Sequence, residues 1–376
     1  VSRENIVLLT TWSRESRSKM RQYAAAAAEL GLDVREEHPD RRTAGVIACS
    51  DHRAVDAAWL CHKHGIPGSD PVAATVATNK SLAYSFIESR GFRTLRWEVP
   101  LSEADLRDGL RKPVIVKPDR GSGSRSDHPW GYQAFRSAKA FLDYLRRTRQ
   151  LQAFLDYQRA PSHWWGRYLL MEYVPGRLYG VAAAIADGRV AVYDTHGLAT
   201  MPDSMLIETT LFGEQHEDMR AIARIAEAFA ALGLRRTVLY TQCVARGGRL
   251  YPIDFNLRPG TMFDLLVGVL RLPFYAQALS FFLGRHRKMR FRWPSRYLGA
   301  RRMHLPLRPG RRKVSFGPGA IPVVSEFHYD PRKPYDSGHA LPIFAVRCTG
   351  RRDFDRRSRA VIARTVIHAA RRPGSR

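Results

Sequence analysis

Only four cysteines occur in the 376 residues, Cys49, Cys61, Cys243 and Cys348; they form no CxxC pair and lie in apolar segments. This excludes a thiolate zinc site and a disulfide framework and leaves buried thiols. No apolar run reaches the roughly 18–20 residues that span a bilayer. The start, VSRENIVLLTTWSRES, lacks the apolar stretch and small-residue cleavage site of a secretory signal, so a cytoplasmic protein is expected. Acid is also scarce. There are 35 Asp and Glu against 61 Lys and Arg, a formal net charge of +26, and the imbalance is concentrated from Arg285 onward, where 24 basic residues face 5 acidic ones. The chain holds no GxxxxGK[ST] phosphate loop, no GxSxG elbow, and no Cys/His pair with the spacing of a known thiol enzyme. It also has no internal repeat and no heptad run.

Hydrophobic residues make up 44% of the chain, enough for a sizeable core divided into two or three compact units. NIVLLT and GVIACS read as buried strands, each followed by a helix, SKMRQYAAAAAELGL closed by Gly31 and DHRAVDAAWLCHKHG. A β-α-β-α opening of this kind builds a parallel sheet. IPGSDP breaks the pattern, which places a boundary near residue 75, and NKSLAYSFIESRGF starts a new helix. KPVIVKPDRGSGSRS is a β-branched run entering a Gly/Ser loop; SAKAFLDYLRRTRQ is an amphipathic helix and RYLLMEYV a strand. Asp187-Gly188 and Gly247-Gly248 sit between alternating segments and suit type I′ hairpins. EDMRAIARIAEAFAALGL is a strong helix, and MFDLLVGVLRLPFYAQALSFFLG reads as one covering helix. Short strands and a closing helix over DRRSRAVIARTVIHAA follow.

Three stretches could carry chemistry. In YPIDFNLRPGT, residues 251–261, Asp254, Asn256 and Arg258 stand at every second position, on one face of a strand. Either these residues reach water at a strand end, or a carboxylate and an amide oxygen hold a hard cation while the guanidinium faces an anion. In VIVKPDRGSGSRS, Lys117 ends a strand and Gly121, Ser122, Gly123 and Ser124 follow. The loop is a flexible connection, or its small residues let backbone N–H groups approach a phosphate beside the lysine charge. MEYVPG ends a strand at Glu172, Tyr173 and Val174, before Pro175-Gly176. That is an ordinary strand-to-turn ending, or an edge against which a flat heterocycle can hydrogen-bond. His196, alone after a hairpin, reads as a surface or satisfied residue before it reads as a base.

The order of these features is more specific than any one of them. A helix opening at Asn79-Lys80, VIVKP with its GSGS loop, MEYVPG, and a hairpin returning as IDFNLRPG together resemble the ATP-grasp superfamily over roughly residues 40–290. The resemblance implies an α/β (α+β) chain with a Rossmann-like β-α-β-α domain over 1–75 and an ATP-grasp core over 76–290. The core would include a lid at about 112–175, and a basic C-terminal region over 291–376 would complete the fold. It further implies that Lys80 and Lys117 contact ATP phosphates under the Gly121–Ser124 loop and that Glu172, Tyr173 and Val174 line the adenine slot. Asp254 and Asn256 would coordinate Mg²⁺, and Arg258, with Lys117, would serve the chemical step. Two departures stand out. The partner-strand position where an acidic metal ligand is expected offers Gln242, an amide oxygen without charge, with Glu208 as the other candidate. The position of the ribose-binding Glu holds Leu178.

The function implied is an ATP-dependent carboxylate–amine ligase working through an acyl phosphate on amino-acid-like substrates and releasing ADP. A carboxylase-type reaction is the enzymatic alternative, though the chain has no MKM biotin-carrier motif. A nucleic-acid-binding or noncatalytic protein using the basic C-terminal quarter is the alternative from another class, though that quarter contains no recognised nucleic-acid module. The arginine excess fits either GC-rich coding bias or an acidic or phosphate-bearing ligand.

Overall fold

The computed structural model describes residues 4–11, 14–36, 38–121, 129–163, 166–200, 207–303, 310–329 and 341–369. The N-terminal sheet contains β1 (Asn5–Leu9), β2 (Asp33–Glu36) and β3 (Thr43–Ala48), all parallel in the order β2-β1-β3. After Asn5, β1 is an unbroken apolar run because both its faces are covered. The crossover helix α1 (Arg14–Glu29) lies between β1 and β2, and α2 (Ala54–His64) follows a 3₁₀ turn at Asp51–Arg53. Next comes α3 (Pro71–Thr78), a helix that the sequence reading of IPGSDP as a simple break leaves out. Asp70 is its N-cap, accepting the N–H groups of Val72 and Ala73 at 2.7 and 3.1 Å, and Pro71 occupies the first turn, where no N–H is needed. α4 (Lys80–Ser89) begins one residue after α3 ends.

A smaller antiparallel sheet runs β4-β7-β5-β6 and is made of β4 (Trp97–Glu98), β5 (Val114–Pro118), β6 (Gln133–Phe135) and β7 (Tyr168–Glu172). Around it lie α5 (Glu103–Asp108), α6 (Ala138–Arg147) and α7 (Leu151–Arg159). Val114, Val116, Tyr168 and Leu170 pack with Phe141 and Phe154 on one face of the sheet. Ile115, Leu169 and Met171 point the other way, into the core shared with α4 and the large sheet. By the two-residue period of a strand, Lys117 shares the face of Ile115 and is aimed at that large sheet.

The large sheet includes β8 (Leu178–Ala186), β9 (Arg189–Thr200), β10 (Ile207–Phe212), β11 (Thr237–Arg246) and β12 (Arg249–Asn256). It continues through β13 (Tyr297–Arg302), and of the later strands β14 (Gly310–Ser315), β15 (Ile321–Val324), β16 (Glu326–Tyr329), β17 (Ile343–Cys348) and β18 (Val366–Ala369) it takes β15 and β17. The order is β12-β11-β8-β9-β10-β13-β17-β15, with β12 at an edge; β16-β14-β18 form a separate sheet. Both hairpins carry consecutive positive-φ residues at their tips, Asp187 and Gly188 at 46° and 78°, Gly247 and Gly248 at 55° and 72°, as a type I′ turn requires. α8 (Met219–Leu232) covers one face of this sheet; α9 (Thr261–Val269) and α10 (Phe274–Phe282), with α1, cover the other.

Two expectations are corrected. The segment read as one covering helix is two, α9 and α10, bent by 115°. Pro273 has no N–H to continue α9 and its ring excludes a helical residue before it, and Arg271 turns left-handed at φ 51°. The pair meets the length and composition of a membrane span together, but no single helix among the described residues is long and apolar enough to cross a membrane. The closing helix is α11 (Arg351–Ala363), and the β-branched Val366 and Ile367 beyond it pair as β18 instead of continuing it. All four cysteines are buried free thiols.

α1 is fastened to α9 by a buried ion pair, Lys19 Nζ to Asp264 Oδ2 at 2.6 Å, and the Asp264 carboxylate also accepts the Tyr275 hydroxyl. Lys19→Met leaves that carboxylate without its cation, and urea denaturation should show a loss of about 3–5 kcal/mol. A variant as stable as the parent would mean that the pair does not hold the two elements together.

Candidate functional site

The geometry of the site begins with an irregularity in β12. Gln242 faces Asp254 across the β11–β12 ladder and Cys243 faces Pro252, so Ile253 is an extra residue with no cross-strand partner. A proline is tolerated here because β12 is an edge strand and the bulge needs no N–H. The Ile253 carbonyl is turned out of the ladder. It accepts the Tyr84 hydroxyl of α4 at 2.7 Å and the Lys117 ammonium of β5. Lys117 also lies 3.7 Å from Met171 Sδ.

Lys80 comes to the same place from α4. The turn Asn79-Lys80-Ser81 docks on Asp119-Arg120-Gly121: the Asp119 carboxylate accepts Ser81 N–H and Oγ–H at 2.7 and 2.9 Å, and its carbonyl accepts Lys80 N–H at 2.8 Å. Arg120 Nε donates to Asn79 Oδ1 at 2.6 Å. Lys80 Nζ consequently sits 2.6 Å from the Gly121 carbonyl and 3.1 Å from Asp254 Oδ1. Gly121 is left-handed at φ 68°; Ser122, Gly123 and Ser124 lie outside the described residues.

Both lysines are buried, and they differ electrostatically. Burial pulls Lys80 down, but the Asp254 carboxylate, Tyr132 and Asp119 together outweigh it and hold the ammonium above its ordinary value. Burial dominates at Lys117 and pushes it down to about 7; Asp254 raises it and the Lys80 charge lowers it again.

Asp254 and Asn256 share a face of β12 with Tyr240 and Gln242 opposite them on β11. Asn256 Nδ2 lies 3.4 Å from Asp254 Oδ2, while Asn256 Oδ1 is buried with no hydrogen-bond partner, and so is Asp254 Oδ1, whose contact with Lys80 is an ion pair without hydrogen-bond alignment. Orphaned buried oxygens are what a hard cation would satisfy. Among the described residues no three His, Cys, Asp or Glu come close enough to cage a metal, so a cation here would need oxygens from a ligand as well. Glu208, the alternative to Gln242, does not reach. It lies on β10, about 19 Å from β12 by sheet spacing, and pairs with Arg301 at 2.6 Å.

Arg258 follows β12 and is positioned from the N-terminal sheet. Asp51 accepts Arg258 Nε at 2.7 Å on one oxygen and Leu257 N–H at 2.7 Å on the other. Glu172 ends β7 buried, accepting from Arg246 at 2.8 Å and contacting Lys112 at 3.3 Å; burial raises its carboxyl, but these two cations hold it below its ordinary value. Its carboxylate thus ties the small sheet to β11. Tyr173 N–H donates to the Pro113 carbonyl at 2.6 Å, and Val174 packs half-buried on the core beneath α4. His196 is buried and satisfied, as its sequence setting implied.

Sequence reasoning missed Asp51, Asp119 and Tyr84. Ser-Asp before a helical pattern and Asp directly after Lys-Pro were signals that these carboxylates cap backbone, but nothing local shows which backbone. Asp51→Asn keeps an acceptor for Leu257 and loses the charge facing Arg258. A double-mutant cycle of Asp51→Asn with Arg258→Ala should return about 1–3 kcal/mol of coupling; strict additivity would show that Asp51 does not hold Arg258.

No protein-family profile matches the chain, and no curated protein matches it in sequence. Solved structures do match over its length. An L-amino acid ligase from Bacillus licheniformis superposes with a TM-score of 0.72 at 14% identity, covering 99% of this chain and 100% of that one. A phosphoribosylglycinamide synthetase from Anaerococcus prevotii gives 0.67 at 16%, covering 98% and 100%. The biotin carboxylase domain of the Hydrogenobacter thermophilus 2-oxoglutarate carboxylase, solved with MgADP, ADP and bicarbonate, gives 0.68 at 13%, covering 99% and 92%. At these identities the likeness is one of architecture, and the architecture of this chain is the ATP-grasp fold.

Proposed function

We propose that this chain is an ATP-dependent ligase that joins a small, amino-acid-like carboxylate to an amine and releases ADP and phosphate. The observation that carries this reading is the convergence of two buried ammonium groups, Lys80 and Lys117, on a strand pair with orphaned carboxylate and amide oxygens, where the small sheet meets the large one. Such a site suits a polyphosphate, with cations against its charge and hard oxygens for the metal that accompanies it. The ATP-grasp architecture supports the same reading.

In this reading Lys80 and Lys117 hold the phosphates, and the turn at Glu172–Val174 receives the base. Asp254 and Asn256, with Gln242 as a neutral third, would hold Mg²⁺, which when bound supplies charge neutralisation between phosphates. The substrate carboxylate attacks the terminal phosphorus, forming an acyl phosphate and ADP; the amine then attacks the acyl carbon and phosphate leaves. Arg258, held by Asp51, stabilises the negative charge that develops in both steps. No side-chain nucleophile is needed. A requirement for ATP fits a cytoplasmic setting, and the exposed arginines of α11, such as Arg352 and Arg359, would suit an acidic or phosphate-bearing substrate.

The deciding experiment is a phosphate-release screen over pairs of organic acids and amines, with mass spectrometry of the product. Hydroxylamine in place of the amine should trap a hydroxamate, and omitting the acid should suppress ADP. AMP and pyrophosphate as products, or acid-independent hydrolysis at the full rate, would overturn the reading, and bicarbonate-dependent ADP release would turn it to carboxylation. Arg258→Ala should lower turnover more than nucleotide affinity.

Lys117 adds a pH signature. A phosphate binds the ammonium form, which prevails below about 7 and is lost above it. ADP affinity should therefore fall about twentyfold between pH 6.5 and 8.5, following proton linkage at a single group. Lys117→Arg, charged throughout, should flatten the profile. A profile equally steep in both proteins would show that Lys117 does not meet the phosphates.

A further inference from the structure

A row of polar side chains continues from the candidate metal pair into the large sheet. Asp254 faces Gln242, Gln242 faces Gly180, and Gly180 faces His196, along one line across β12, β11, β8 and β9; the next line runs Asn256, Tyr240, Ala182, Asp194. Asp194, His196 and Tyr240 are each buried to 5% exposure or less. Their hydrogen bonds form a chain. Trp293 Nε1–H donates to Asp194 Oδ1 at 2.9 Å, and His196 Nδ1 lies 2.6 Å from Asp194 Oδ2. His196 Nε2 lies 3.0 Å from the Tyr240 hydroxyl, and Gln242 Nε2 lies 3.4 Å from that same oxygen.

The polarity of this chain is set from its buried end. A carboxylate only accepts, so His196 Nδ1 carries the proton that points to Asp194. On the neutral ring Nε2 is then the acceptor, and the Tyr240 O–H donates to it. The Tyr240 oxygen has spent its proton and can only accept from Gln242, so the NH₂ end of the amide turns to Tyr240 and Oε1 is the end not committed to it. Gly180 makes room for the arrangement, since a Cβ there would lie 2.1 Å from His196 Nε2.

We propose that Asp194, His196 and Tyr240 are positioning residues that orient the Gln242 amide so that its oxygen, and not its NH₂, faces Asp254 and Asn256. An uncharged residue thereby serves as a third protein oxygen for a divalent cation. This rests on the metal role given above to Asp254 and Asn256. A carboxylate at position 242 would need no such device, because both of its oxygens accept.

That difference supplies the test. Mn²⁺ binding in the presence of ADP is measured by the electron paramagnetic resonance of free Mn²⁺ on the full chain, with melting temperature and metal-free ADP affinity as controls for folding. Tyr240→Phe, which removes one oxygen atom, and His196→Leu should each weaken Mn²⁺ about tenfold, the scale on which groups that orient metal ligands act. In the Gln242→Glu background the Tyr240→Phe loss should vanish. A tenfold loss that persists in that background would identify a merely structural role, and no loss in either background would remove the orienting role; each overturns the proposal. Asp254→Asn separates the layers: if it abolishes Mn²⁺ binding while Tyr240→Phe is silent, only the positioning proposal fails, and if it leaves Mn²⁺ binding intact the metal reading fails with it.

Discussion

The extra residue at Ile253 is the constraint on which the site depends. Ile253 has no partner across the ladder, and its carbonyl accepts both Lys117 and Tyr84. With the bulge, one carbonyl receives the ammonium of the small sheet and the hydroxyl of α4, so two separate elements are fixed to one point of the large sheet's edge. The same irregularity sets which residues of β12 oppose Gln242 and Tyr240, and hence that Asp254 and Asn256 lie on their face. The position of Lys117 and the face taken by Asp254 and Asn256 thus share one structural cause, while Lys80 is placed by the turn docked on Asp119.

Carboxylates are scarce in this chain, and around the site each has a defined partner. Asp51 serves Arg258 and the backbone at Leu257, Asp119 serves the turn that carries Lys80, and Glu172 serves Arg246 and Lys112. Asp254 alone faces both buried ammonium groups. The local balance is positive, and two lysines sharing one carboxylate in a poorly solvated place gain from an anionic ligand that neither can obtain from the protein. Burial is what depresses Lys117, and the single shared carboxylate does not offset it.

Much of this was legible before the fold was known. The parallel opening, both I′ hairpins and the alternation of Asp254, Asn256 and Arg258 follow from local pattern, and local pattern is what a sequence displays. Lys117 could be placed at a strand end for the same reason. What escaped depends on partners distant in the chain. Asp51 and Arg258 are 207 residues apart and Lys117 and Ile253 are 136 apart, and no local spacing reports such pairs. The break between α9 and α10 is a different case, since Pro273 was visible and the apolar periodicity on either side concealed what it does. Pro252 was equally visible, and a proline inside an apparent strand is itself a mark of an edge or a bulge.

The site is assembled from parts that have no meaning singly, and this bears on how a fold persists at 13–16% identity. The 3₁₀ turn after β3 contributes Asp51, α4 contributes Lys80, the small sheet contributes Lys117, and the large sheet contributes Asp254, Asn256 and Gln242. What must be kept is where the strands cross and which face each polar residue takes, and many apolar sequences satisfy the packing beneath. In the proposed metal site a carboxylate would give way to Gln242 with the neighbouring row fixing the amide, because the sheet register places the residue and the hydrogen bonds choose between its two ends. Register, more than any local spacing, is therefore what brings these residues of the large sheet together in this chain.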